Sequence, residues 1–124
     1  MDEEEFDSLL ISRPFTAKDA TVADAQLRRR VTLAIALWGR TLDDLQRQLL
    51  APYPAIPAGF DVADFRELHR SLQSISDGLS NPRHAWLTRL PLFSQTISVG
   101  TQRFTAWEAR YEIVRRAIEY MENH

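Results

Sequence analysis

A chain of 124 residues, 44% hydrophobic and 26% charged, suits one folded domain of ordinary composition, and at that length a core can form without metal or disulfide staples. The absence of cysteine excludes disulfides, thiolate metal sites and cysteine nucleophiles together. The net charge of −2 conceals an asymmetry: residues 1–24 carry seven acids against Arg13 and Lys18, whereas residues 25–124 carry ten acids against thirteen bases.

Residues 1–15 read as an acidic arm, flexible or docked on the body, ahead of a single domain over 16–124. MDEEE is followed by FDSLLI, in which Phe6, Leu9 and Leu10 fall at helical spacing. They either dock on the body or form a short motif that becomes helical in a partner's groove. Pro14 is expected to close the arm. An N-terminus that opens on acids is no secretory signal, and the apolar run 31–38 is far short of the roughly 20 residues that span a bilayer. A cytoplasmic protein that does not enter a membrane is expected. Lys18 is the one lysine among 15 basic residues, a bias of the kind a GC-rich bacterial or phage genome produces.

Thr16 and Thr21 each stand three residues before an acid, Asp19 and Asp24, close to a capping box, so the first helix is expected to start at one of them. The organising stretch is Leu27–Leu50. Val31, Ile35, Trp38, Leu42, Leu45 and Leu49 recur at spacings of 4, 3, 4, 3 and 4, one face of a helix. Gly39 followed by Thr41-Leu42-Asp43-Asp44 offers a break, but the apolar phase does not slip there. One helix with a kink at Gly39 is the favoured expectation. PYPAIPAG (52–59) must end it, because Pro52, Pro54 and Pro57 cannot continue a helix.

The next helix has a clear start: Asp61 as N-cap, with Phe60 and Phe65 placed as a hydrophobic staple. Phe65, Leu68, Leu72, Ile75 and Leu79 form its apolar face, and Ser76-Asp77-Gly78 should end it. Asn81-Pro82 opens a short helix over 82–90, which Pro91 is expected to stop. Residues 92–104 are expected to be loop with at most one helical turn, since the alternation around Ile97 and Val99 offers no evident strand partner. Thr105 and Glu108 form a capping box for the last helix, whose Trp107, Tyr111, Val114, Ile118 and Met121 continue the 3–4 spacing. The sum is an all-α fold: three long amphipathic helices and one short one, near-antiparallel in a bundle.

No chemistry of a recognisable kind follows from these residues. His69 and His84 have no second histidine or acid at metal-ligand spacing, His124 is the last residue, and there is no GxSxG or glycine-rich loop. No cofactor, metal or catalytic residue is expected. Protein–protein interaction is the favoured function class, as an adaptor, chaperone-like factor or inhibitor. Aromatics and arginines dominate interface hot spots, and Trp86, Phe93 and Phe104 lie in the least regular segment. The expected partner-binding residues are Arg83, His84, Trp86, Arg89, Phe93, Arg103 and Phe104, together with Phe6, Leu9 and Leu10 of the arm. An apolar stripe left over from a three-helix core would be buried in a two-fold homodimer. The alternative is a small nucleic-acid-binding regulator. It would use the Arg/aromatic surface around Trp86 and the triplet Arg28, Arg29 and Arg30, against a basic footprint that is weak overall.

Overall fold

A computed structural model describes residues 1–12, 15–38 and 40–123 of the chain. The molecule is mostly helical with one small two-stranded sheet. In chain order it runs α1 (Glu3–Ser12), a 3-10 turn (Asp19–Thr21), α2 (Ala25–Trp38), α3 (Leu42–Leu50), α4 (Val62–Gly78), a 3-10 helix (Pro82–Arg89), α5 (Pro91–Ser94), β1 (Thr96–Val99), β2 (Gln102–Thr105) and α6 (Ala106–Asn123). The long helices are α2, α4 and α6, and there are more short elements around them than the one expected. Among the described residues no helix is long and apolar enough to cross a membrane.

The acidic arm is a helix of the core. Its first turn holds Glu3, Glu4 and Glu5, where acids oppose the positive helix end. Phe6 and Leu10 are wholly buried, with Phe15 tilted against Phe6 at 5.9 Å between ring centres. Arg30 of α2 reaches Glu3 at 2.8 Å and lies over the Phe6 ring. Pro14, expected to close the arm, lies outside the described residues.

The start of α2 corrects the sequence expectation. Neither Thr16 nor Thr21 caps it; Asp24 accepts from the amide of Leu27 at 2.8 Å. Asp19 instead folds back on Thr16, taking its amide and hydroxyl protons and closing a separate turn. The stretch 27–50 is also two helices rather than one. Gly39, the expected break point, lies outside the described residues, but α2 ends at Trp38 and Thr41 caps α3 by accepting from Asp44. The apolar stripe keeps its phase across the break yet serves two places. Val31 and Trp38 join the main core with Phe6, Leu10, Phe65, Leu68, Leu72, Trp107 and Val114. Leu45 and Leu49 join a second cluster with Ile97, Ala109 and Ile113.

α4 begins as expected, with Asp61 and Asp64 in a reciprocal capping box. Residues 91–105 do not. Pro91 stops the 3-10 helix and opens α5 as its first residue, where a missing N–H costs nothing. The segment expected to be loop is an antiparallel hairpin pairing Thr96 with Thr105, Ile97 with Phe104, Ser98 with Arg103 and Val99 with Gln102. The partner that Ile97 and Val99 seemed to lack is the next four residues of chain. Gly100 makes the turn at φ 62°, in the left-handed region that favours glycine. Gln46 of α3 donates to the carbonyl of Ser98 and holds the hairpin down. Thr105 then serves twice, as the end of β2 and as the α6 N-cap, exchanging hydrogen bonds with Glu108 of 3.0 and 2.9 Å.

Candidate interaction surface

Asn81 accepts from the Arg83 amide, Pro82 takes the first helical position, and the eight residues Pro82–Arg89 wind as a 3-10 helix. A three-residue turn eclipses side chains at i and i+3. Two rows result. His84, Leu87 and Leu90 form one, whose anchor is the buried Leu87. Arg83, Trp86 and Arg89 form the other, and all three are exposed, Trp86 at 57% of its surface. Among the described residues neither arginine has a carboxylate within 4.0 Å. Beside this row lies a groove of about 270 Å³, walled by Ile11 of α1, Ile75 and Gly78 of α4, and His84, Trp86 and Leu87. Asp7 stands at its edge, its carboxyl pushed above the usual range by burial and by Glu3.

The structure does not bring the remaining expected residues into this surface. Phe6, Leu9 and Leu10 are buried inside the chain. Their apolar surface is spent on holding α1 in place, so they present no anchor to a partner. Phe93 is half-buried and packs on Trp107 at 5.1 Å. Phe104 is half-buried against the second cluster. Arg103 is exposed on β2.

The basic triplet is largely committed to internal pairs. Arg29 grips Asp64 with two hydrogen bonds of 2.9 and 2.6 Å, donates to the Gly59 carbonyl and covers the Phe60 ring. That contact holds the Asp64 carboxyl below the usual range. Arg30 is buried on Glu3. Arg28 alone is exposed without a carboxylate partner among the described residues. His69 stacks on Tyr111 at 4.7 Å, and burial followed by the Arg115 charge lowers its pKa. Among the described residues no three His, Asp or Glu side chains converge on a point that could hold a metal ion.

One residue of chemical interest escaped the sequence. Arg110 reads as one of several arginines balanced by Glu108, Glu112 and Glu119. Arg115 and Arg116 are balanced in that way, with Glu112 held low in pKa by Arg115 and then Arg116. Arg110 is not. It is 9% exposed, 5.0 Å from the Trp38 ring centre, and among the described residues bonded only to the backbone carbonyls of Ala106 and Trp38. The available signal was its spacing, three residues after Trp107 and four before Val114, which sets it on the buried face.

No known protein family, no curated protein and no solved structure matches this chain.

Proposed function

We propose that this is a non-enzymatic interaction protein, an adaptor, chaperone-like factor or inhibitor, that docks a protein partner on the Arg83–Trp86–Arg89 row. The near-antiparallel packing expected of its long helices would give that row a stiff base. The supporting observation is an indole 57% exposed at the lip of an apolar groove and eclipsed by two arginines without carboxylate partners. Tryptophan and arginine are the side chains that most often carry binding energy at an interface centre. The matching partner surface has an apolar contact for the indole and acids on either side of it. The same arginines could serve phosphates, which makes nucleic acid the second reading. The exposed Leu50 and Tyr53, at 62% and 67%, favour self-association as a further use of the surface.

The test is affinity capture from host lysate with and without nuclease, using the wild type and the double variant Trp86→Ala plus Arg89→Glu. A stoichiometric, nuclease-resistant protein held by the wild type and lost by the variant is the expected result. Retention by a variant of unchanged circular dichroism would overturn the assignment. Enrichment that is lost with nuclease and weakens steeply between about 50 and 200 mM salt would move it to nucleic acid.

A further inference from the structure

Behind Arg110 lies a second recess, on the other side of Ile11 from the Trp86 groove. It has a volume of about 420 Å³ and sits between the end of α1, the junction of α2 with α3, the start of α5 and the first turn of α6. Its walls are apolar, with Leu10, Ile11, Trp38, Leu42 and Leu92 among them, and two guanidinium groups, Arg40 and Arg110, line it. Among the described residues no acidic side chain does.

The charge balance here is unusual. A buried cation is normally tolerated because an anion faces it; without one, desolvation costs several kcal/mol. Arg110 is nine-tenths buried, and among the described residues it has no carboxylate within 4.0 Å. Two carbonyls take part of its donor capacity, at 3.1 and 3.2 Å, and the Trp38 carbonyl at the end of α2 brings a fractional negative charge. Its Nε has no acceptor. Arg40 is half-buried; its Nε donates to the Ala36 carbonyl, and among the described residues it has no carboxylate within 4.0 Å. Burial alone lowers the Arg110 pKa, to about 10, so the group is still charged at neutral pH.

We propose that this recess is a binding site for a carboxylate carried on a small apolar body, with Arg110 as the buried counter-charge and Arg40 as the outer one. The wall of leucines and the Trp38 ring takes the apolar part, and the planar guanidinium matches a carboxylate. A volume of about 420 Å³ falls within the range of small-molecule sites, roughly 300–1,000 Å³. Two sources of such a group fit, a free short-chain acid or the C-terminal carboxylate of a peptide ending in an apolar residue. The site shares the Ile11 wall with the Trp86 groove but uses none of Arg83, Trp86 and Arg89.

The experiment titrates the full chain with hexanoate and, separately, with acetyl-Ala-Ala-Leu bearing a free C-terminus. Tryptophan fluorescence and, specifically, the Trp38 indole N–H resonance report binding. Hexanamide and the peptide amide are the neutral controls, and acetate is the control for a bare anion. Saturable binding of either acid, with its amide weaker by about tenfold or more, is the expected result; tenfold is about 1.4 kcal/mol. Preference for hexanoate identifies a free acid as the ligand class, and preference for the tripeptide identifies a chain terminus. Arg110→Gln should abolish binding. Should that variant misfold, Arg40→Gln, which alters the outer guanidinium alone, should weaken it severalfold. Equal response to acid and amide, equal response to acetate and hexanoate, or no saturable response to any probe would overturn the proposal and leave Arg110 as a cap on the end of α2.

Discussion

Glu3 and Arg30 meet at 2.8 Å across 27 residues of chain, the one carboxylate largely exposed and the one guanidinium buried. The pair orients α1 on α2 and gives the buried Arg30 its anion, an attraction largely offset by the desolvation of the guanidinium. The force that holds α1 is apolar, because Phe6 and Leu10 are buried in the main core. Phe6→Ala should therefore cost about 3–5 kcal/mol, and Glu3→Gln, which takes the carboxylate from the buried Arg30 but leaves it an acceptor oxygen, about 1–3 kcal/mol. Urea unfolding of both variants checks this. An unchanged midpoint for Phe6→Ala would mean that the arm is not part of the core.

Asp7 gives a pH signature of the same contact. Burial and Glu3 raise its pKa, so the folded state binds its proton more tightly than the unfolded chain does. Stability from this group is present at acid pH and is lost as pH rises from about 4. Asp64 and Glu112 act in the opposite sense. Arg29 and Arg115 lower their pKa values, so their contribution is present above about 4 and is lost as pH falls below it. Asp7→Asn should then be more stable than wild type at pH near 7, with the difference closing towards pH 3. The comparison needs only urea midpoints at the two pH values. A variant that is less stable at neutral pH would show that Arg30 and Arg70 hold Asp7 ionised.

The hairpin turn tests backbone conformation without packing. A Cβ added at Gly100 would meet nothing within 4 Å, yet its φ is 62°. Gly100→Ala should cost about 1–2 kcal/mol from the left-handed conformation alone, and Gly100→Asn less. A calorimetric melt showing no loss for alanine would mean that the turn relaxes to another type.

Trp86 and Leu87 are neighbours with opposite roles. Trp86→Ala removes an exposed side chain and should change stability by no more than about 0.5 kcal/mol. Leu87→Ala removes the anchor of the 3-10 helix, 5% exposed, and should cost about 2–5 kcal/mol. If the Trp86 variant were equally destabilised, the indole would be part of the core and unsuited to docking.

Local chemistry was the most legible part of the fold. The caps at Asp61, Asn81 and Thr105 follow from two or three residues of sequence, and each is made. What depended on distant partners was hidden. The α2–α3 break was obscured because the stripe through Trp38 and Leu42 keeps helical phase while its two halves face different clusters. The hairpin was missed because β2, Gln-Arg-Phe-Thr, carries one apolar residue and shows no alternation that marks a strand. The exposure of Trp86 and its flanking arginines was legible from their place in an irregular segment. The inward turn of Phe93 and Phe104 was not, since it depends on α5 and β2 folding back over α6. Arg110 went unnoticed because charge counting along a helix ignores which face a residue occupies.

α6 enters both apolar clusters, with Trp107, Val114 and Ala117 in the main core and Ala109 and Ile113 in the second. Neither cluster can come apart without stripping one side of the same rod. The two ought to melt together in one cooperative step, and the amides of α6 should be among the last to exchange with deuterium, opening only when the whole chain does. A molecule fastened in this way should show no half-unfolded form in which one cluster survives alone.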